Sequence, residues 1–142
     1  MKIIFLDIDG VLNTTPHIKK LSNLDKRAVI NLEMLLNKVP DLKIVVSSHW
    51  RKLGLDKIKE FFKENGIDPR RILDITGDEQ ISGREREFQI AKWLQDHQDA
   101  RPFVIFDDID SFVALKDSFV KINPLVGITQ ANVEKALEIL NE

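Results

Sequence analysis

The chain has 142 residues, 43% of them hydrophobic and 31% charged, with a formal net charge of −2, a balance expected of one soluble globular domain over residues 1–142. At this length about 70% of the unfolded surface can be buried, so folding needs no metal or disulfide staple and any metal would serve chemistry. The chain has no cysteine, which excludes thiol nucleophiles, thiolate metal sites, iron–sulfur clusters and redox switches.

In chain order, Lys2–Asp7 carries four consecutive apolar residues, the length of a strand covered on both faces. It ends in acids and does not read as a signal peptide, and no apolar run approaches the ~20 residues that span a bilayer. A cytoplasmic protein is the expectation. Asn23–Lys38 spaces Leu24, Ala28, Leu32, Leu35 and Leu36 as one helical face. Leu42–Ser47 is a second buried strand, Leu55–Asn65 a helix stopped by Gly66, and Arg71–Ile75 a weaker strand. Glu85–His97 is a helix, Pro102–Asp107 a third buried strand, Phe119–Ile122 a weaker one and Gln130–Leu140 the closing helix. Short apolar runs alternating with amphipathic ones predict an α/β domain on a mostly parallel sheet. Charge is uneven: residues 14–72 hold 13 Lys/Arg against 7 Asp/Glu, and residues 73–142 hold 7 against 14. That pattern suits a polyanionic partner or an ordinary solvated surface.

In parallel sheets ligands sit outside the carboxyl ends of the strands. There this sequence puts Asp7, Ser47 and the pair Asp107–Asp108. Asp7 and Asp9, two apart, face one side if the extended backbone continues, and Gly10 lets the chain turn close to a ligand. A single strand-end acid more often caps the next helix or turn. Several converging acids repel unless a cation neutralises them, and oxygen donors without His or Cys favour Mg²⁺.

Asp7–Asn13 (D-I-D-G-V-L-N), Val45–Ser48 (V-V-S-S) and Ile105–Asp108 (I-F-D-D) resemble motifs I, II and IV of the haloacid dehalogenase (HAD) phosphatase superfamily. S-S-H-W-R after the second strand, R-x-x-x-I-x-x-W-L at Arg86–Leu94 and G-I-T at Gly127–Thr129 resemble a small HAD-like family that includes domains associated with RNA-repair proteins. This chain has Gln89 where that family carries an acid. The resemblance implies a HAD-like, Rossmannoid three-layer fold with five strands in the order 3-2-1-4-5. A flavodoxin-like order is the alternative, but the receivers of that type need a strand-end Lys that only Lys121 offers.

The resemblance also implies roles. Asp7 would be the nucleophile that becomes an aspartyl-phosphate, and Asp9 the general acid and base. Mg²⁺ would be held by Asp7, the main-chain carbonyl of Asp9 and Asp107, with Asp108 direct or through water. Gly10, Ser47 and Ser48 would serve phosphate binding, although Ser47 alternatively caps the helix that follows. Arg51 would reach a phosphate or stand exposed at a helix start. His49 reads as a substrate contact or surface residue, and Trp50 as packing more than a base-stacking platform. Arg86 fits best as the cation of motif III, with Arg84 and Lys92 as alternatives. Asp110 would support the metal or cap a helix at Ser111–Lys116.

HAD enzymes of small metabolites usually carry a cap domain, and neither insertion point here has room for one. A large substrate suits an uncapped site. The expected activity is phosphomonoester hydrolysis, favouring a polynucleotide 3′-phosphate. Nucleotides or other small phosphoesters, and a non-catalytic binding or regulatory domain, are the alternatives. No membrane and no obligate protein partner are expected.

Overall fold

The computed structural model describes residues 1–14, 24–77 and 85–141. Five strands, β1 (Ile3–Leu6), β2 (Lys43–Val46), β3 (Ile72–Ile75), β4 (Phe103–Asp107) and β5 (Phe119–Lys121), form one sheet in the order β3-β2-β1-β4-β5. Every pairing is parallel. This is the order that the resemblance implies, and the flavodoxin-like alternative is set aside. Four α-helices lie among the described residues: α1 (Lys26–Lys38), α2 (Leu55–Glu64), α3 (Glu85–Asp96) and α4 (Gln130–Leu140).

Side chains alternate across the pleat, so each central strand feeds two cores. Ile4, Leu6, Ile44, Val46, Val104 and Phe106 pack with residues of α1, α2 and α4. Ile3, Phe5, Val45, Phe103 and Ile105 pack with Ile90, Trp93 and Leu94 of α3. The result is a three-layer domain with three helices on one face and one on the other. Each fully buried Phe or Leu contributes about 1.5–3 kcal/mol. Phe5 meets the edges of Trp93 and Phe103 at centroid distances of 5.4 and 5.9 Å. No helix of the described residues is long and apolar enough to cross a membrane.

Helix α1 begins at Lys26, later than the predicted Asn23, because the extended Asp25 caps it by accepting from the Arg27 N–H. Asn23 itself lies outside the described residues. The helix expected at Ser111–Lys116 does not form; only a 3₁₀ turn, Lys116–Ser118, follows. The backbone N–H groups of Val113 and Leu115 donate to Glu87 Oε2 at 2.8 and 3.1 Å. Those donors are tied to α3, which favours an irregular connection. The same α3 is anchored at its other end, where the Trp93 indole N–H donates to Asp74 Oδ2 of β3 at 2.7 Å.

Candidate active site

The pleat decides which strand-end side chains share a face. Asp7 follows Ile3 and Phe5 in parity, Ser47 follows Val45, Asp107 follows Phe103 and Ile105, and Thr76 follows Asp74, so all four belong to the α3 face. The register continues past the strands through Asp7 N–H to Phe106 O, Ser47 N–H to Leu6 O and Thr76 N–H to Val46 O. The sheet edge therefore carries a polar row, Thr76–Ser47–Asp7–Asp107, and all four residues are buried.

After β1 the chain closes tightly. The N–H groups of Val11, Leu12 and Asn13 converge on Ile8 O, and the Gly10 N–H donates to Asn13 O at 2.8 Å. Gly10 has φ +83°, and a Cβ there would lie 2.7 Å from Asp108 Cγ. The turn is braced from outside, since Ile128 N–H donates to Val11 O and Asn31 Nδ2 donates to Ile128 O. Gly127, with φ +71°, must come close because a Cβ would sit 2.6 Å from Val11 O. The G-I-T segment is thus a prop for the turn carrying Asp9 and Gly10.

Asp7 Oδ1 accepts from the Ile8 N–H at 2.8 Å, which leaves Oδ2 facing Arg86 Nη1 at 3.4 Å. The same nitrogen donates to Asp107 Oδ2. Asp7, Asp107 and Asp108 bring carboxylate oxygens within 4.8 Å of one another. Burial, then repulsion from Asp107, pushes the Asp7 carboxyl up to about 8, with Arg86 acting in the opposite sense. Burial pushes Asp107 up to about 6, again against Arg86. Arg86 sits in the first turn of α3, where the helix dipole disfavours a cation. Its two carboxylate partners offset that cost.

Of the alternatives to Arg86, Lys92 pairs with Asp96 at 3.6 Å on the exposed side of α3, and Arg84 lies outside the described residues. Asp110 pairs with Lys121 at 3.5 Å and neither joins the acidic cluster nor caps a helix.

Ser47 Oγ is buried without a partner among the described residues. The capping role suggested for it belongs to Ser48, whose hydroxyl accepts from the Trp50 N–H ahead of the 3₁₀ turn His49–Leu53. Arg51 is buried, not exposed, and its Nη1 donates to Ser48 O at 2.9 Å. It lines a pocket of 480 Å³ together with His49, Glu85, Arg86, Gln89 and Ile109. Arg86 joins this pocket to the carboxylates. The Asp9 carboxylate stands outside the cluster and is exposed; it accepts from Asn13 Nδ2 at 3.1 Å and from the Trp50 indole N–H at 3.2 Å.

Sequence reasoning gave no role to Asn13 and saw Trp50 mainly as packing. It also missed Thr76, whose buried hydroxyl has no partner among the described residues. Extending the strand Arg71–Ile75 by one residue exposes Thr76 to the same strand-end rule that selected Ser47.

Gly10→Ala is expected to cost about 1–2 kcal/mol for the left-handed backbone and to push Asp108 out of the cluster. A lower melting temperature, together with a weaker rise of that temperature on adding a divalent cation, would show both effects. An unchanged response to the cation would mean that Asp108 tolerates the methyl by turning aside.

No curated protein and no solved structure matches the chain. The sequence model of one family, described as the HAD domain in Swiss Army Knife RNA repair proteins, matches residues 3–133. Since that match spans most of the chain and the sheet has the order that the resemblance implied, the chain belongs to this HAD family, whose membership supports a phosphatase-type hydrolase in general terms.

Proposed function

We propose that the chain is a Mg²⁺-dependent phosphomonoester hydrolase working through an aspartyl-phosphate on Asp7, with a polynucleotide 3′-phosphate as substrate. The observation that carries this reading is the convergence of three carboxylates, Arg86 and the Ser47 hydroxyl, unpartnered among the described residues, at one sheet edge. The donor set fits Mg²⁺: it is all oxygen, and burial pushes Asp7 and Asp107 up against the single guanidinium of Arg86, so full ionisation of the cluster calls for more positive charge. Asp7, Asp107 and Asp108, with the main-chain carbonyl of Asp9, would hold the ion. When bound, it supplies charge neutralisation that lets an anionic phosphate approach a carboxylate.

The protein's own residues divide the remaining work. The Ile8 N–H fixes one Asp7 oxygen and so orients the other for attack on phosphorus. As that O–P bond forms, the bond to the leaving oxygen breaks and Asp9 gives the leaving oxygen a proton. Asp9 then takes a proton from the water that cleaves the aspartyl-phosphate, which returns both residues to their starting states. Ser47 and Ser48 receive phosphoryl oxygens, and Arg86 opposes the charge that builds on them. Arg51 and His49 meet the substrate beyond the transferred group, in the pocket they line.

Three observations support a polynucleotide end. The family description names RNA repair proteins. Residues 14–72 carry an excess of positive charge that attracts a phosphate backbone. Between Asn13 and Leu42 the chain is largely taken up by α1, and between Arg51 and Arg86 by α2 and β3, which leaves too few residues for a cap domain. The expected result is that kcat/KM for a 3′-phosphorylated oligonucleotide exceeds that for a 3′-mononucleotide by about tenfold and falls as salt rises. Oligonucleotides with 5′-phosphate, phosphopeptides and sugar phosphates complete the comparison. Equal, salt-insensitive efficiency for mononucleotide and oligonucleotide would remove the macromolecular substrate and leave the hydrolase.

A further inference from the structure

Asp9 is the proton-transfer residue of the reading above, yet unlike Asp7, Asp107 and Asp108 it is exposed. An exposed carboxylate turns freely about two bonds unless something holds it, and proton transfer needs it within hydrogen-bond reach of the leaving oxygen. Two donors from different parts of the chain hold it here. Asn13 Nδ2 donates to Oδ1 from the closing turn at 3.1 Å. The Trp50 indole N–H donates to Oδ2 from the 3₁₀ turn after β2 at 3.2 Å.

Trp50 is itself fixed twice. Its ring packs on Phe61 of α2 with centroids 4.6 Å apart, and its backbone N–H donates to Ser48 Oγ. A phenylalanine would keep the ring contact, so packing alone does not account for an indole whose only polar atom meets the exposed Asp9 carboxylate. Resting on the hydrolase reading, we infer that Trp50 is a positioning residue which, with Asn13, holds the Asp9 carboxylate for proton transfer to the leaving group. The contact joins the phosphate-binding turn after β2 to the acid after β1, so α2 reaches the chemistry through Phe61, Trp50 and Asp9.

The test is Trp50→Phe, which retains an aromatic ring against Phe61 and deletes the N–H. A positioned acid matters most when the leaving group is a poor one. The efficiency kcat/KM should fall about tenfold for an alkyl phosphate and only about twofold for 4-nitrophenyl phosphate, a fraction of the 10²–10⁴-fold available from acid–base catalysis. A purely structural lesion would lower both equally, and that result would overturn the inference. Nuclear magnetic resonance gives a readout independent of activity. The Trp50 indole N–H, identified by its loss in Trp50→Phe, should shift in Asp9→Ala; an unmoved signal would also overturn the inference. Full alkyl-phosphate activity in Trp50→Phe beside an inactive Asp9→Asn would defeat the positioning role alone. Absence of Mg²⁺-dependent hydrolysis by the unaltered chain would instead defeat the hydrolase reading on which it rests.

Discussion

Asp7→Asn is expected to abolish hydrolysis, by roughly 10³-fold or more, while making the metal-free fold more stable at alkaline pH. The loss of activity follows from chemistry, because an amide is a poor nucleophile and removes one charge from the metal site. The gain in stability follows from burial. In the fold, desolvation and then Asp107 push the Asp7 carboxyl up to about 8, whereas in the unfolded chain it titrates near 4. Between those values the folded state holds a proton that the unfolded state releases, so stability falls as pH rises from about 4 to about 8. Asp107, pushed up to about 6, adds to the slope at the acid end. The amide that replaces the Asp7 carboxyl does not titrate and has nothing to lose. Thermal melts without metal should therefore show the variant ahead by about 5 °C or more at pH 8, with the gap shrinking toward pH 5. In the unaltered chain, Mg²⁺ should raise the melting temperature more at pH 8 than at pH 5, since it competes with the protons. A gap that ignored pH would show that Asp7 is not held against its ionisation. Near-normal turnover in Asp7→Asn would end the covalent mechanism.

Much of this was legible because the central strands obey a simple rule. An apolar run of four or five residues ending in a polar one is too short for a buried helix and right for a strand covered on both faces, which delivers that residue, here Asp7, Ser47 or Asp107, to the sheet edge. Their placement on one face follows from period-2 alternation once the register is known. The register depends on long-range pairing, and here the family resemblance supplied what periodicity could not. Contacts between segments distant in sequence stayed hidden. Trp50 meets Asp9 across 41 positions, and Glu87 holds the chain at Val113 and Leu115, where a helix capped by Asp110 was one of the two alternatives. The two serines after β2 show the limit of reading types without conformations. Either can cap a turn, and only the extended backbone of Ser48 decides which does. Ser47 is thereby left for another ligand.

The cation over the carboxylates is the other part with a large expected effect. Arg86→Met should lower turnover by about 10²–10³-fold, the scale of losing one preorganised donor to a charged transition state, with little change in KM. Lys92→Ala, on the exposed side of the same helix, should stay within about twofold of the parent. The stability readout separates two roles of the guanidinium. One nitrogen faces both Asp7 and Asp107, so Arg86 is the internal counter-charge of the acidic cluster in the metal-free fold. Without it the buried carboxylates must take up protons or a cation, and the metal-free melting temperature should drop. Mg²⁺ should then stabilise Arg86→Met by more degrees than it stabilises the parent, because in the variant the ion replaces a missing charge. An equal Mg²⁺ response in both proteins, with turnover intact, would mean that Arg86 merely covers the site.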